Sequence, residues 1–378
     1  SGSRNVLSVY AELAVPLLEG LPLMERLDMQ LAARYERFSD VGSVLKPKVA
    51  FAWKVNDQVK IRSSYAEGFR APGLPQVVAE NISRVNTRSD PVFGVRQGVL
   101  ELRNGSDQLK PEESENISYG VVFEPTRDIT VSVDWWNIKQ FGVVGLLNSQ
   151  TQILYDALLR GEGSSNPLVV RDDNNEIVQV RNDYTNLLPR EIQGIDFSIR
   201  YDLDTQYGDY TFKLNGAKLQ KFEQGVDDVT AKVLAAQAAG NEAVLYDGEQ
   251  VTLSGTGDLI RKNGRPNWRS NASIGWRYEQ FGAGIKYKYI SGFEDTSLDY
   301  TDEAGEKVAY KVASLSTIDV YLKYRLDTQG WFDKTTMMLG VRNLQDKEPP
   351  FSDNTFGYNS STHSSKGRYF YLNMNVKF

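Results

Sequence analysis

Apolar and polar residues alternate along many segments of the chain. In the segment 369–378, "YFYLNMNVKF", the apolar residues occupy every second position; they are Phe370, Leu372, Met374, Val376 and Phe378. A period of two is typical of a β-strand with one apolar face and one polar face. The alternation predicts a strand and leaves open whether its apolar face lies against lipid or against a protein core.

The same alternation recurs through the chain and predicts about thirteen strands. Their predicted ranges are 6–17, 26–39, 44–56, 58–69, 112–124, 128–142, 191–203, 207–222, 266–279, 281–293, 314–326, 334–345 and 366–378. Short links rich in turn formers follow every second strand, as in "KVNDQ", "EPTRD", "DLDTQYGD", "RYEQF" and "DTQGWFDK". Long links lie between them, near 70–111, 143–190, 223–265, 294–313 and 346–365.

This order of links favours an all-β fold, an antiparallel up-and-down transmembrane β-barrel with turns at one end and loops at the other. The short link "SDVG" is an exception, because a long link is due there. Charged residues stand deep within the polar faces, and aromatic residues tend to end the apolar faces, as Tyr324 does in "STIDVYLKYRL". A barrel with a wet lumen and aromatic girdles has both features, whereas a soluble sandwich has no reason for the second.

Composition narrows the classes of function. The 378 residues carry a formal net charge of −6 and show no basic stripe, so nucleic acid is not expected as a partner. Cysteine is absent, which excludes disulfides and thiolate metal sites. No stretch approaches the roughly 18 apolar residues of a membrane helix, and the mean hydropathy of −0.43 is compatible with alternating barrel strands.

The N-terminal segment "SGSRNVLSVYAEL" lacks the basic start and apolar run of a signal peptide. If the last strand runs toward the turn end, the first of thirteen strands runs the same way. Complete bacterial barrels normally have an even number of strands. We therefore expect at least one strand to precede Val6.

Several segments together resemble the C-terminal part of a TonB-dependent outer-membrane receptor. The most specific pair is "FRAP" at 69–72 followed by "LKPE" at 109–112. The segment "GVRNLQDKEPP" at 340–350 and the aromatic C-terminus "RYFYLNMNVKF" at 368–378 are the next. The resemblance extends over nearly the whole chain, residues 1–378.

This resemblance implies an outer-membrane protein of a Gram-negative bacterium with a barrel of about 22 strands. Residues 1–378 correspond to the C-terminal portion of that barrel as one domain, without the plug domain and the early strands. The implied parent binds a scarce solute, a ferric siderophore or a carbohydrate, and imports it when the TonB complex displaces the plug. The implied partners are the lipid bilayer, the receptor's own plug domain, the TonB complex through that plug, and a small-molecule ligand.

The terminal strand is similar to the strand that the outer-membrane assembly machinery recognises in this family. The candidate assembly residues are Phe370, Leu372, Met374, Val376 and Phe378, with their apolar face toward lipid. An ordinary edge strand that ends in phenylalanine is the alternative.

Candidate ligand-binding residues lie in the long links. Arg70 either contacts an anionic ligand or the plug, or else pairs with a carboxylate while Pro72 ends the strand. Aromatic rings beside amides suit a neutral sugar or a peptide-like siderophore. The candidates of that kind are Tyr184, Phe351, Asn354, Phe356 and Tyr358.

Metal and cofactor sites are not expected. No histidine lies between residues 69 and 109, where a heme-receptor subclass carries its ligand, so heme is disfavoured. The single histidine, His363, is expected to be a solvated loop residue. The segment "DDNNE" at 172–176 lacks the glycine and terminal glutamate of a calcium loop and is expected to be a solvated acidic turn.

Two links contain helix-compatible stretches, "QTQILYDALLR" at 150–160 and "VTAKVLAAQAAGNEAV" at 229–244. No nucleophile elbow appears, and one histidine leaves few options for a triad, so an enzyme is not expected. The alternatives to a TonB-dependent transporter are a passive diffusion porin and a soluble all-β binding or adhesion protein.

Overall fold

Antiparallel strands make up most of the chain. A computed structural model describes residues 2–301, 307–326 and 335–376. The strands are β1 (Val6–Leu21), β2 (Met24–Phe38), β3 (Gly42–Lys54), β4 (Val59–Arg70), β5 (Ile82–Asp90), β6 (Val95–Arg103), β7 (Glu112–Thr126), β8 (Ile129–Phe141), β9 (Val144–Leu146), β10 (Val169–Arg171), β11 (Ile177–Arg181), β12 (Tyr184–Asn186), β13 (Arg190–Thr205), β14 (Gly208–Gln224), β15 (Leu245–Tyr246), β16 (Glu249–Gln250), β17 (Gly257–Asp258), β18 (Trp268–Tyr278), β19 (Phe281–Ile290), β20 (Phe293–Thr301), β21 (Lys307–Val312), β22 (Leu315–Leu326), β23 (Thr335–Arg342) and β24 (Tyr369–Asn375). The α-helices are α1 (Leu74–Val78), α2 (Ser149–Gly161) and α3 (Asp228–Ala238), and a 3₁₀ turn covers Glu242–Val244.

One large sheet contains the long strands. Its order is β1-β2-β3-β4-β7-β8-β13-β14-β18-β19-β22-β23-β24, so each strand pairs antiparallel with the next long strand along the chain. These are thirteen strands within the described residues, and they confirm the predicted strands with ends shifted by a few residues. The predicted turn 327–334 and Phe378 lie outside the described residues.

The two faces of this sheet differ sharply. In three neighbouring strands Leu322 lies opposite Leu339, and Leu339 lies opposite Leu372. Their exposed fractions are 64%, 55% and 67%, far above those of core leucines. A row of exposed leucines in consecutive strands is stable against hydrocarbon and not against water, because it buries no apolar surface within the protein. Among the described residues, no helix is long and apolar enough to cross a bilayer.

The polar face carries charges that pair across strands. Arg62 in β4 donates to both carboxylate oxygens of Asp134 in β8, at 2.7 and 2.5 Å, although β7 lies between them. Gly120 of β7 makes this contact possible, since a Cβ at that position would stand 1.9 Å from Asp134 Oδ1. The ion pair reduces the cost of placing these charges deep within a strand.

The long links gather at one end of the sheet, and they contain more structure than the alternation predicts. The hairpin β5–β6 occupies the link 70–111, and it joins β10 and β11 in a separate sheet of order β10-β11-β6-β5. Helix α2 packs against this sheet, and the shared core is Val99, Ile153, Val169, Ile177 and Val180. We call β5, β6, β10, β11 and α2 the loop module.

The helix predicted at 150–160 is confirmed, and the stretch predicted at 229–244 forms α3 as far as Ala238 and a 3₁₀ turn at Glu242–Val244. Helix α2 begins after Asn148, whose side chain accepts hydrogen bonds from the backbone N–H groups of Gln150 and Thr151. Helix α3 begins after Asp227, whose carboxylate accepts from the N–H of Thr230. The two helices pack on each other through Leu154 and Val233, with Val244 completing the cluster. The helices thus fix the links 143–190 and 223–265 relative to each other.

Candidate functional site

A cavity of about 1000 Å³ lies between the loops at this end of the sheet. It is lined by residues of the loop module and of the segments 182–188, 224–230, 246–256, 295–297 and 353–359. Most of the lining side chains are amides, hydroxyls or charged groups, and Tyr246 is the aromatic residue among those described. A cavity of this size and polarity suits a hydrogen-bonding small molecule.

One wall of the cavity carries arginines around a buried carboxylate. Glu101, only 1% exposed, accepts hydrogen bonds from Arg88 Nη2 at 2.8 Å, from Arg103 Nη2 at 3.0 Å and from the hydroxyl of Ser149. Burial by itself raises the pKa of Glu101, but the hydrogen bonds from Ser149 and Arg103 and the charge of Arg88 outweigh it and lower the pKa. Glu101 therefore stays ionised and holds both guanidinium groups at the wall.

Two polar atoms on this wall are buried without a partner among the described residues. They are Nε of Arg103, a donor, and Oδ1 of Asn182, an acceptor. The two residues are neighbours, because the N–H of Asn182 donates to the carbonyl of Leu102 at 2.8 Å. An unpaired buried donor or acceptor costs about 1–3 kcal/mol, so these two atoms make the wall less stable than full pairing would.

Acidic residues lie on other parts of the lining. Asp295 is buried and accepts from the backbone N–H of Asp353 at 2.8 Å, whereas Asp247, Glu249 and Asp353 are exposed. The cavity therefore has a cationic wall at β5–β6 and carboxylates elsewhere, an arrangement that fits a ligand with both acceptor and donor groups.

Of the candidate ligand residues predicted from the sequence, Asn354 lines the cavity. Tyr184 lies in β12 opposite Leu146, and its neighbours Thr185 and Asn186 line the cavity instead. Phe351 packs edge-on against Tyr310 with ring centroids 5.7 Å apart.

The other two aromatic candidates lie near each other. Phe356 is 72% exposed and stands 6.4 Å from the ring of Tyr358, whose hydroxyl lies 3.0 Å from that of Ser365. The role of these residues in ligand binding stays a prediction.

Arg70 is paired at the end of β4. Its guanidinium donates to both carboxylate oxygens of Glu112, through Nε at 2.9 Å and Nη2 at 2.5 Å. Glu112 also accepts from the backbone N–H of Val144 at 2.7 Å, and the preceding Phe69 contacts Phe38 edge-on at 6.0 Å. Arg70 thus connects β4 to β7, and through Glu112 to β9. This arrangement corresponds to the alternative in which Arg70 pairs with a carboxylate.

The candidate assembly residues Phe370, Leu372 and Met374 point to the exposed apolar face. Val376 follows β24, and Phe378 lies outside the described residues. Their recognition by the assembly machinery stays a prediction.

The expectation of a solvated His363 is wrong. His363 is 6% exposed, and its ring stacks on that of Phe293 with the ring centroids 6.0 Å apart. Neither ring nitrogen has a hydrogen-bond partner among the described residues. Burial, and secondarily the charge of Arg269, lowers the pKa of His363. A sequence pattern within one loop does not reveal this, because Phe293 comes from another loop.

This burial predicts an acid-sensitive loop. The pKa of His363 is lower in the folded loop than in the unfolded loop. The folded loop therefore loses stability as the pH falls below about 6.5, the ordinary pKa of histidine, because the unfolded loop then binds a proton more readily. We expect the protection factors of residues 351–368, which divide the intrinsic exchange rate at each pH by the observed rate, to fall between pH 7.5 and 5, and His363→Phe to abolish that fall. An equal fall of the protection factors in the His363→Phe variant would contradict this assignment.

The acidic segment 172–176 forms a local turn. Asp172 accepts from the backbone N–H groups of Asn174 and Glu176, both at 2.9 Å. Across the parts of the chain that the structure describes, no group of three or more His, Cys, Asp or Glu side chains has the arrangement of a metal site.

The sequence did not reveal Arg88, Arg103 and Asn182 as site residues, because no strands are predicted in the links 70–111 and 143–190 that contain them. Leu100 and Leu102, which alternate with Glu101 and Arg103, and the turn formers of "SDPVFG" were signals for a hairpin there. The convergence of this hairpin with β11 had no local signal.

Comparisons with known proteins agree with this architecture. The family described as "TonB dependent receptor-like, beta-barrel" matches residues 1–344. The probable TonB-dependent siderophore receptor PirA of Acinetobacter baumannii is 26% identical over 133 residues, which are 35% of this chain and 16% of that protein.

Solved structures also resemble nearly the whole chain, and two of them serve as examples. The crystal structure of the siderophore receptor PirA from Acinetobacter baumannii has a TM-score of 0.61 at 18% identity, covering 99% of this chain and 46% of that one. A mutant of the ferric enterobactin receptor PfeA from Pseudomonas aeruginosa has a TM-score of 0.64 at 15% identity, covering 99% of this chain and 45% of that one. The chain thus spans just under half the length of either structure.

These likenesses confirm the predicted fold class, an antiparallel up-and-down transmembrane β-barrel. Members of the matching family are transport proteins of the outer membrane and not enzymes, in agreement with the sequence-based expectation. Because the family match extends over most of its length, the chain belongs to the TonB-dependent receptor β-barrel family.

Proposed function

We propose that this chain is the C-terminal barrel portion of a receptor in the outer membrane of a Gram-negative bacterium that captures a ferric siderophore. The whole receptor has a barrel of about 22 strands and a plug domain, and the TonB complex displaces the plug to import the ligand. The outer-membrane assembly machinery inserts it through the terminal strand. Family membership supports the transport class, and it favours neither a porin nor a soluble adhesion protein.

The observation that carries the ligand class is the loop cavity with its arginine wall. Ferric siderophores present many oxygen acceptors, and often negative charge, around the iron. The guanidinium groups of Arg88 and Arg103, which line the cavity, offer donors to such oxygens. Two relatives carry siderophore or ferric enterobactin in their names, which supports the same class.

A binding and uptake measurement tests this function. The full receptor, produced in a host without other iron receptors, is given radioactive iron as a ferric tris-catecholate or a ferric tris-hydroxamate. We expect saturable uptake of at least one complex and loss of uptake, with retained binding, in a host that lacks TonB. Absence of binding of both complexes would refute the siderophore assignment, and TonB-independent uptake would favour a porin.

The Arg103→Gln variant of the same receptor is expected to bind the accepted complex about 10- to 150-fold more weakly, because hydrogen bonds to charged groups contribute about 1.5–3 kcal/mol. Glu101 keeps Arg88 and Ser149 in this variant, so the wall retains its form. The control is Arg181→Gln, which changes an exposed arginine of the same loop module. Equal affinities in the two variants would exclude the arginine wall from the binding site.

A further inference from the structure

Strand β5 is the last strand in the sheet of the loop module, and among the described residues no further strand pairs with its outer edge. In the order β10-β11-β6-β5, strand β5 pairs with β6 on one side. On its other side, the N–H of Ser89 donates to Oε1 of Gln150 at 2.9 Å, and Nε2 of Gln150 donates to the carbonyl of Ser89 at 2.7 Å. The carboxamide of Gln150 thus pairs with this edge as the peptide group of another strand does.

The next outward-facing position along this edge is Thr87. Alternate residues of an edge strand direct their N–H and C=O groups outward, so Thr87 faces the same way as Ser89. The carbonyl of Thr87 accepts from Arg88 Nη1 at 3.1 Å. Its N–H has no acceptor among the described residues, so one backbone donor of the edge is available.

This outer edge of β5 borders the cavity. Thr87, Arg88 and Ser89 are consecutive in the chain, and all three line it. Because side chains of a strand alternate between the two faces of the sheet, three consecutive residues reach one cavity only where that cavity wraps around the edge. Arg96, opposite Ser89 in β6, lines it as well.

We infer that the ligand carries an extended peptide segment whose backbone pairs with the β5 edge at Thr87, with a carboxylate of that segment near Arg96. A peptide adds to a free strand edge through main-chain hydrogen bonds, and the amides and hydroxyls of the lining match further peptide groups. The exposed Arg96 supplies charge complementarity to a carboxylate. The inference rests on the proposed function and specifies its substrate class as peptide-containing ferric siderophores.

Two substitutions at one residue test this pairing in the full receptor. Thr87→Pro removes the outward N–H and leaves the ladder with β6 intact, since proline is tolerated in an edge strand at such a position. Thr87→Ala removes the side chain and keeps the N–H. The probes are the ferric complex of a linear peptide with hydroxamate side chains and a ferric tris-hydroxamate without a peptide backbone.

We expect Thr87→Pro to bind the peptide complex about tenfold more weakly and Thr87→Ala to bind it within about twofold. The loss of affinity in Thr87→Pro is expected to be smaller for the complex without a peptide. In the unsubstituted receptor, the peptide complex slows hydrogen exchange in segment 83–89.

Equal losses for both complexes in Thr87→Pro, or unchanged exchange at 83–89, would overturn the edge pairing and leave the siderophore function standing. Tight binding of only the complex without a peptide would do the same. Absence of binding of both complexes to the unsubstituted receptor would refute the proposed function and the pairing with it.

Discussion

Replacing Arg171 by methionine is expected to open the loop module about 100- to 4000-fold more often, which corresponds to about 3–5 kcal/mol. The side chain of Arg171 is 2% exposed and donates to Asp90 at 2.6 and 2.8 Å and to Asp156 at 2.8 Å, and the side chains of both aspartates are fully buried. Methionine retains much of the apolar stem but leaves these carboxylates without their shared cation. Arg160, at 2.9 Å from Asp156, compensates only one of them.

Hydrogen exchange measures this effect without unfolding the barrel, because a loop module opens locally while the large sheet stays protected. The segments to follow are 82–103 and 149–181, with β13 and β14 as internal references. Arg181→Met is the control, since Arg181 is exposed in β11 of the same module and its replacement is expected to cost within about 0.5 kcal/mol. Equal exchange rates in the two variants would show that the buried ion pairs do not hold the module together.

The long strands could be predicted from the sequence because their signal is repeated many times. A strand such as β22 alternates over most of its length, and a shift by one residue would expose every charge to lipid. The short turns between partners then determine which strands are adjacent. The family resemblance of the segments 69–72 and 109–112 agrees with the same order of adjacent strands.

The loop structure was predictable only where a local signal exists. Helices α2 and α3 have polar capping residues and helix-forming sequences, and both were predicted. The position of His363 depends on Phe293, which lies 70 residues away in the chain. Which candidate faces the cavity likewise depends on packing between loops, so Asn354 lines it and Phe356 is exposed on the surface.

The lipid-facing assignment of the apolar face can be tested with two consecutive residues of β24. Leu372→Arg is expected to destabilise the barrel by about 2–4 kcal/mol near the middle of the bilayer, because a guanidinium must replace a leucine in hydrocarbon. Leu372 is 67% exposed and lies opposite Leu339, so the substitution removes little packing within the protein. Unfolding of the full receptor by guanidinium chloride in phospholipid vesicles, followed by tryptophan fluorescence, measures the difference.

Asn373→Arg is the matched control, because the adjacent residue of a strand points to the opposite face. We expect it to change the free energy of unfolding by less than about 1 kcal/mol, since arginine stays hydrated on the polar face. Reconstitution into vesicles omits the assembly machinery, so a loss confined to Leu372→Arg reports on the lipid contact and not on recognition of the terminal strand. Equal destabilisation by both substitutions would contradict the assignment of the apolar face to lipid, because a guanidinium would then be tolerated equally on either side of the sheet.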